Sequence, residues 1–118
     1  MHINSLHAIS PIDGRYHNQT KELSVYFSEA ALIRYRVRVE TEYFIALCAI
    51  PLPQLANFPQ SAVTDLRKRL IGQFSDSDAA EIKDIEKTTN HDVKAVEYFM
   101  KARFDEMNLS AWREFIPF

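Results

Sequence analysis

Apolar residues recur along most of this chain at steps of three and four, the spacing that gathers them on one side of an α-helix rather than a strand. Ile33, Val37, Phe44 and Leu47 mark such a face in a long helix expected from about Ser28 to Ile50, stopped by Pro51 and Pro53. After the proline-containing stretch from Pro51 to Pro59, Val63, Leu66, Leu70 and Ile71 predict a second helix from about Gln60 to Phe74. The polar run Ser75-Asp76-Ser77-Asp78 separates it from a short third helix, about Ser77 to Glu86, with Ala79, Ile82 and Ile85 inward. Val93, Val96, Met100, Phe104 and Met107 predict a fourth from about Asp92 to Met107, on which Tyr98 and Phe99 add further packing surface. Only two glycines, Gly14 and Gly72, and very few segments of period-two alternation speak against sheet. The expected fold class is all-α, with an extended N-terminal segment of about 24 residues.

Charged residues modify this picture at a few places. Glu40 falls on the apolar stripe of the long helix, and Arg36 one turn earlier is its expected partner in a structural ion pair. Arg34, Arg36 and Arg38 read as a charged helical surface, and Glu97 with Lys101 as a helix-supporting pair four residues apart. At 118 residues the chain is the size of one domain, and we expect a single helical domain over 1–118. Hydrophobic residues at 47% and charged residues at 25% give ordinary globular composition, which excludes a disordered chain. A net charge of −2 argues against a nucleic-acid surface, so any anionic ligand has to be held by local groups. Cys48 is the one cysteine, which rules out an intrachain disulfide and fits a reducing cytoplasm; its apolar surroundings predict a packed thiol. His2, His7, His17 and His91 make no zinc-type spacing, and no metal or cofactor is expected. The N-terminus has no leader pattern and nothing reaches membrane-spanning length, so a cytosolic protein without membrane contact is expected.

Two segments carry candidate chemistry. In Thr88-Thr89-Asn90-His91-Asp92-Val93-Lys94-Ala95-Val96-Glu97-Tyr98-Phe99 a polar cluster turns abruptly into the fourth helix, with Thr89 the expected N-cap and Asp92 the acid of a capping box. A helix N-terminus offers unpaired N–H groups and a partial positive charge, a seat for carboxylate or phosphate that Asn90, His91 and Lys94 would line. An ordinary capped helix with a surface histidine satisfies the same pattern. In Ile9-Ser10-Pro11-Ile12-Asp13-Gly14-Arg15-Tyr16, the proline, aspartate and glycine form a turn that would aim the Arg15 fork and the Tyr16 ring at a ligand. An ordinary surface turn with an exposed arginine is the other reading.

Together the two segments resemble those of the adenylosuccinate lyases, the purine-pathway branch of the fumarase/aspartase superfamily, and in particular their longer bacterial form. The resemblance implies a small helical N-terminal domain of a lyase that releases fumarate by β-elimination. Its substrates there are adenylosuccinate, which yields AMP, and the succinylated aminoimidazole carboxamide ribonucleotide. It implies that Arg15, Tyr16, Asn90, His91 and Asp92 contact the purine nucleotide substrate, with His91 also able to assist proton transfer at the leaving nitrogen. It further implies a homotetramer in which each site draws on three subunits. The central helical bundle, the C-terminal domain, the acid histidine and the mobile serine loop lie outside these 118 residues, so the chain alone is expected to be inactive. The alternative is a catalytically inactive helical interaction module derived from the lyase. Near the end the chain departs from the family, with Pro117 where histidine is usual, and Trp112, Phe115, Ile116 and Phe118 are expected as surface meant for absent helices.

Overall fold

The computed structural model describes residues 4–50 and 52–116; Pro51, Pro117 and Phe118, which figure in the sequence reading, lie outside them. The described residues are helical, with turns between helices and no strand among them, as expected of an all-α chain. They fall into two compact units, Met1–Leu32 and Ile33–Phe118.

The first unit is less extended than its sequence suggested. Helix α1 (His17–Thr20), a 3₁₀ turn (Lys21–Leu23) and helix α2 (Ser24–Phe27) follow one another. Thr20 drives this tightening, because its hydroxyl donates to the carbonyl oxygens of Ile12 at 2.8 Å and Tyr16 at 3.1 Å. Ser28 then links two helices. Its hydroxyl donates to the Ser24 carbonyl at 2.6 Å and accepts the Ala31 N–H at 3.1 Å, capping helix α3 (Glu29–Ala49). That helix matches the long one read from the apolar stripe.

The second unit holds the rest of α3, a 3₁₀ turn (Pro53–Leu55), α4 (Gln60–Arg67) running into a π-helical turn (Lys68–Gly72), α5 (Asp76–Thr89), α6 (Asp92–Glu106) and a 3₁₀ segment (Ser110–Phe115). Its core is organised around Phe44, whose ring meets those of Phe58 at 5.2 Å and Phe104 at 4.9 Å, both edge to face. Val37, Leu66, Leu70, Ile82, Val96 and Met100 are fully buried around these rings, and the Cys48 thiol is packed among them. Trp112 closes the core edge-on to Phe58 at 5.2 Å, and Ile116 is buried. The expectation that Trp112, Phe115 and Ile116 form a surface for absent helices is therefore corrected: they pack on this unit's own core.

Helix α5 starts earlier and ends later than the sequence suggested, for two physical reasons. Ser75 and Asp78 form a reciprocal capping box, with the Asp78 N–H on Ser75 Oγ at 3.3 Å and the Ser75 N–H on Asp78 Oδ2 at 3.0 Å. At the other end the helix runs through Thr89 before Asn90 turns left-handed. Phe104→Ala should lower unfolding stability by about 3–5 kcal/mol, read from urea melts, because it empties the space shared with Phe44.

Candidate functional site

Arg15 and Tyr16 are set by the turn of the first unit. The Gly14 N–H donates to the Ser10 carbonyl at 3.0 Å and the Tyr16 N–H to the Pro11 carbonyl at 2.8 Å, while Asp13 Oδ1 accepts the Ser10 N–H at 2.8 Å. The Ser10 amide foremost, with those of Ile9 and of Asp13 itself, holds the Asp13 carboxyl below the usual range. A Cβ on Gly14 would stand 2.9 Å from the Ser5 carbonyl oxygen, so only glycine lets the loop close this tightly. Beyond the turn both side chains are exposed, with the Arg15 guanidinium over the Tyr16 ring at 4.6 Å.

Asn90, His91 and Asp92 form the link between α5 and α6 in the second unit. Asn90 takes φ 53° and ψ 29°, a left-handed conformation that asparagine tolerates, and its N–H still closes on the Glu86 carbonyl at 2.8 Å. The N-cap of α6 is His91, not Thr89 as expected. Thr89 is the last residue of α5, and its hydroxyl bonds instead to the His91 backbone, accepting its N–H at 3.2 Å. His91 Nδ1 accepts the Lys94 N–H at 3.1 Å. A neutral imidazole whose Nδ1 accepts carries its proton on Nε2, so the ring offers a donor to whatever meets its outer edge.

The open anion seat expected at this helix start is already filled. The Val93 N–H goes to Asp92 Oδ1 at 2.8 Å and the Lys94 N–H to His91, leaving neither amide for a ligand. Lys94 Nζ is engaged as well, 2.5 Å from Glu97 Oε2, which leaves the expected Glu97–Lys101 contact the longer one at 3.8 Å. The cluster is also divided. His91 and Lys94 line a cavity of about 310 Å³ with Glu40 and Val93, whereas Asn90 lines another of about 340 Å³ with Lys83, Glu86 and Lys87.

Glu40 is not paired with Arg36. Arg36, its expected partner, reaches instead to Asp92 Oδ2 at 2.9 Å and ties α3 to the first turn of α6. The Val93 amide and then Arg36 hold the Asp92 carboxyl below its ordinary value. Among the described residues Glu40 has no ion-pair or hydrogen-bond partner, and burial pushes its carboxyl up. A position on the apolar stripe was the sequence signal for Glu40, but pairing by helical spacing misassigned the arginine. No group of three or more potential metal ligands occurs among the described residues, and no helix among them is long and apolar enough to cross a membrane.

Two measurements probe this geometry. His91→Asn should keep the cap and His91→Ala should lose about 1 kcal/mol relative to it in chemical unfolding, because asparagine supplies the acceptor that alanine lacks. For Glu40, a folded-state pKa above the unfolded one makes the charged carboxylate a cost of folding above that pKa, and the cost disappears as the group takes up its proton at lower pH. Glu40→Gln should accordingly raise the melting temperature near pH 7, with the gain shrinking towards zero below about pH 4.

Compared with curated proteins, the chain is 58% identical over 106 residues to the adenylosuccinate lyase of Dictyostelium discoideum, covering 86% of this chain and 22% of that protein. It is 51% identical over 110 residues to the adenylosuccinate lyase of Legionella pneumophila strain Corby, covering 90% of this chain and 23% of that protein. With the adenylosuccinate lyase of Escherichia coli K12 it shares 44% identity over 120 residues, covering 100% of this chain and 26% of that protein. The chain thus spans about a quarter of the length of the curated relatives it matches. No family model matches it.

Proposed function

We propose that this chain, which belongs with the adenylosuccinate lyases and spans about a quarter of their length, supplies nucleotide-contacting residues to a lyase that releases fumarate from adenylosuccinate. The observation that carries this reading is the 58% identity maintained over 86% of the chain. The same chemistry extends to the succinylated aminoimidazole carboxamide ribonucleotide, whose C–N bond is of the same kind.

In the β-elimination a base removes a proton from the succinyl carbon next to the one bearing nitrogen. The released electron pair forms the double bond of fumarate as the C–N bond breaks, and the nitrogen leaves protonated, as AMP. Arg15 offers a planar fork of donors for the phosphate, with Tyr16 beside it. His91 meets the substrate as an Nε2–H donor, since Nδ1 is held by the Lys94 amide; this favours substrate binding over proton abstraction. Asp92 acts through order, joining Arg36 to the helix start, while Asn90 contacts substrate from the opposite side of the link. In this reading the enzyme works in the cytoplasm as a homotetramer, with the base and acid supplied by other segments and subunits.

A catalytically inactive interaction module remains the second reading, favoured by the apolar side chains that the first unit leaves in solvent, among them Ile9 at 97% and Phe27 at 82% exposure. A chimaera separates the two: this chain replaces the matching segment of the Escherichia coli lyase, and fumarate release from adenylosuccinate is followed by absorbance. Retained turnover that falls at least tenfold in kcat/KM with Arg15→Ala or His91→Ala supports the lyase reading. A folded chimaera without turnover supports the module.

A further inference from the structure

The cavity beside the α6 cap contains a carboxylate that no described residue pairs or hydrogen-bonds. Glu40 projects from the apolar stripe of α3, is half-buried, and faces the same cavity of about 310 Å³ as His91, Val93 and Lys94. The positive groups around it are committed elsewhere, Arg36 to Asp92 at 2.9 Å and Lys94 to Glu97 at 2.5 Å. Removing a carboxylate from water without giving it a donor is unfavourable, and folding tolerates the arrangement only at a cost. A cavity near the lower end of the roughly 300–1,000 Å³ range of small-molecule sites, with one donor edge and one bare acceptor, has the makings of a hydrogen-bonding pocket.

Charge decides which part of a ligand belongs there. The phosphate and carboxylates of a succinylated purine nucleotide are repelled by Glu40, which excludes its anionic ends from this cavity. Its purine base carries N–H donors and ring-nitrogen acceptors side by side. Resting on the nucleotide-lyase reading above, we propose that Glu40 is a further substrate-contacting residue, its carboxylate accepting a hydrogen bond from an N–H of the purine base while His91 Nε2–H donates to an acceptor of the same ligand. Glu40 then reads the base, and the two ends of the substrate are sorted by the sign of the groups that face them.

The test uses the 118-residue chain. AMP and purine riboside 5′-monophosphate, which lacks the exocyclic amino group, are titrated to millimolar concentrations while the His91 ring resonances are followed by NMR. In the wild type AMP should shift the His91 signals and bind more tightly than the analogue. Glu40→Ala should weaken AMP about tenfold and leave the analogue unchanged, with Glu40→Gln, which keeps a neutral acceptor, in between. Circular dichroism melts establish that both variants are folded; should Glu40→Ala fail there, the near-isosteric Glu40→Gln alone must weaken AMP and spare the analogue. Equal loss for both ligands, or no loss for either in a folded variant, overturns the role of Glu40 while leaving the nucleotide reading intact. Absence of any His91 response to AMP in the wild type overturns the shared Glu40–His91 pocket, while the lyase reading stands or falls by turnover of the chimaera.

Discussion

The candidate site depends on a single buried guanidinium. Arg103 of α6 is only 7% exposed, and it reaches Glu81 and, at 3.8 Å, Asp78 on α5, as well as Glu106 on its own helix at 3.3 Å. Its guanidinium carbon lies over the Phe99 ring, 4.5 Å from the ring centre. A charge so placed is stable only while its carboxylates stay in position, so it fixes the separation and register of α5 against α6. Asp78 extends the same constraint backwards. Burial raises its carboxyl, but the two-point contact with Arg69 at 3.0 and 3.1 Å and the Ser75 amide outweigh that and hold it below the ordinary range. One carboxylate thereby caps α5, anchors the π-helical turn before it and faces Arg103.

With both helices held, the link between them has little freedom. Asn90 has to reverse the chain within one residue, and the left-handed conformation does so without giving up the last hydrogen bond of α5. The chain leaves that turn with His91 at the N-cap and Asp92 one residue on, where Arg36 of α3 can meet it. The polar cluster is therefore a junction of three helices. Most of its hydrogen-bonding capacity is spent on holding the junction, and the groups left over, the outer edge of His91 and the Glu40 carboxylate, are few and directional.

Reading the sequence recovered what local periodicity determines. The all-α class, the span of α3, the buried Val96, Phe99, Met100 and Phe104 of α6 and the packed Cys48 follow from spacing and from breakers, whereas Tyr98, expected to add packing surface, is exposed. It failed where the outcome turned on partners distant in sequence. Arg36 lies one turn from Glu40 yet pairs with Asp92, because the α3–α6 contact brings a better-placed carboxylate within 2.9 Å. Thr89 has the chemistry of a cap, but α5 continues through it, and a histidine takes the role that hydroxyl and amide side chains usually fill. The aromatic end at Trp112 looked unpartnered only because Phe58, more than fifty residues earlier, is invisible as a neighbour in one dimension. Arg15 and Tyr16 were recognisable as a motif, whereas the close approach that demands Gly14 required coordinates.

The histidine cap has a dynamic consequence. An imidazole is a polarisable unit: drawing electron density from one nitrogen alters the other, so hydrogen bonds on its two sides are cooperative. A group that accepts from Nε2–H makes Nδ1 a better acceptor and tightens its hold on the Lys94 amide. Occupancy at the outer edge of the ring is thereby transmitted into the first turn of α6, which becomes harder to fray. Slower hydrogen exchange at the Lys94 amide would be the trace of that transmission, making the beginning of the helix a reporter of what lies against it.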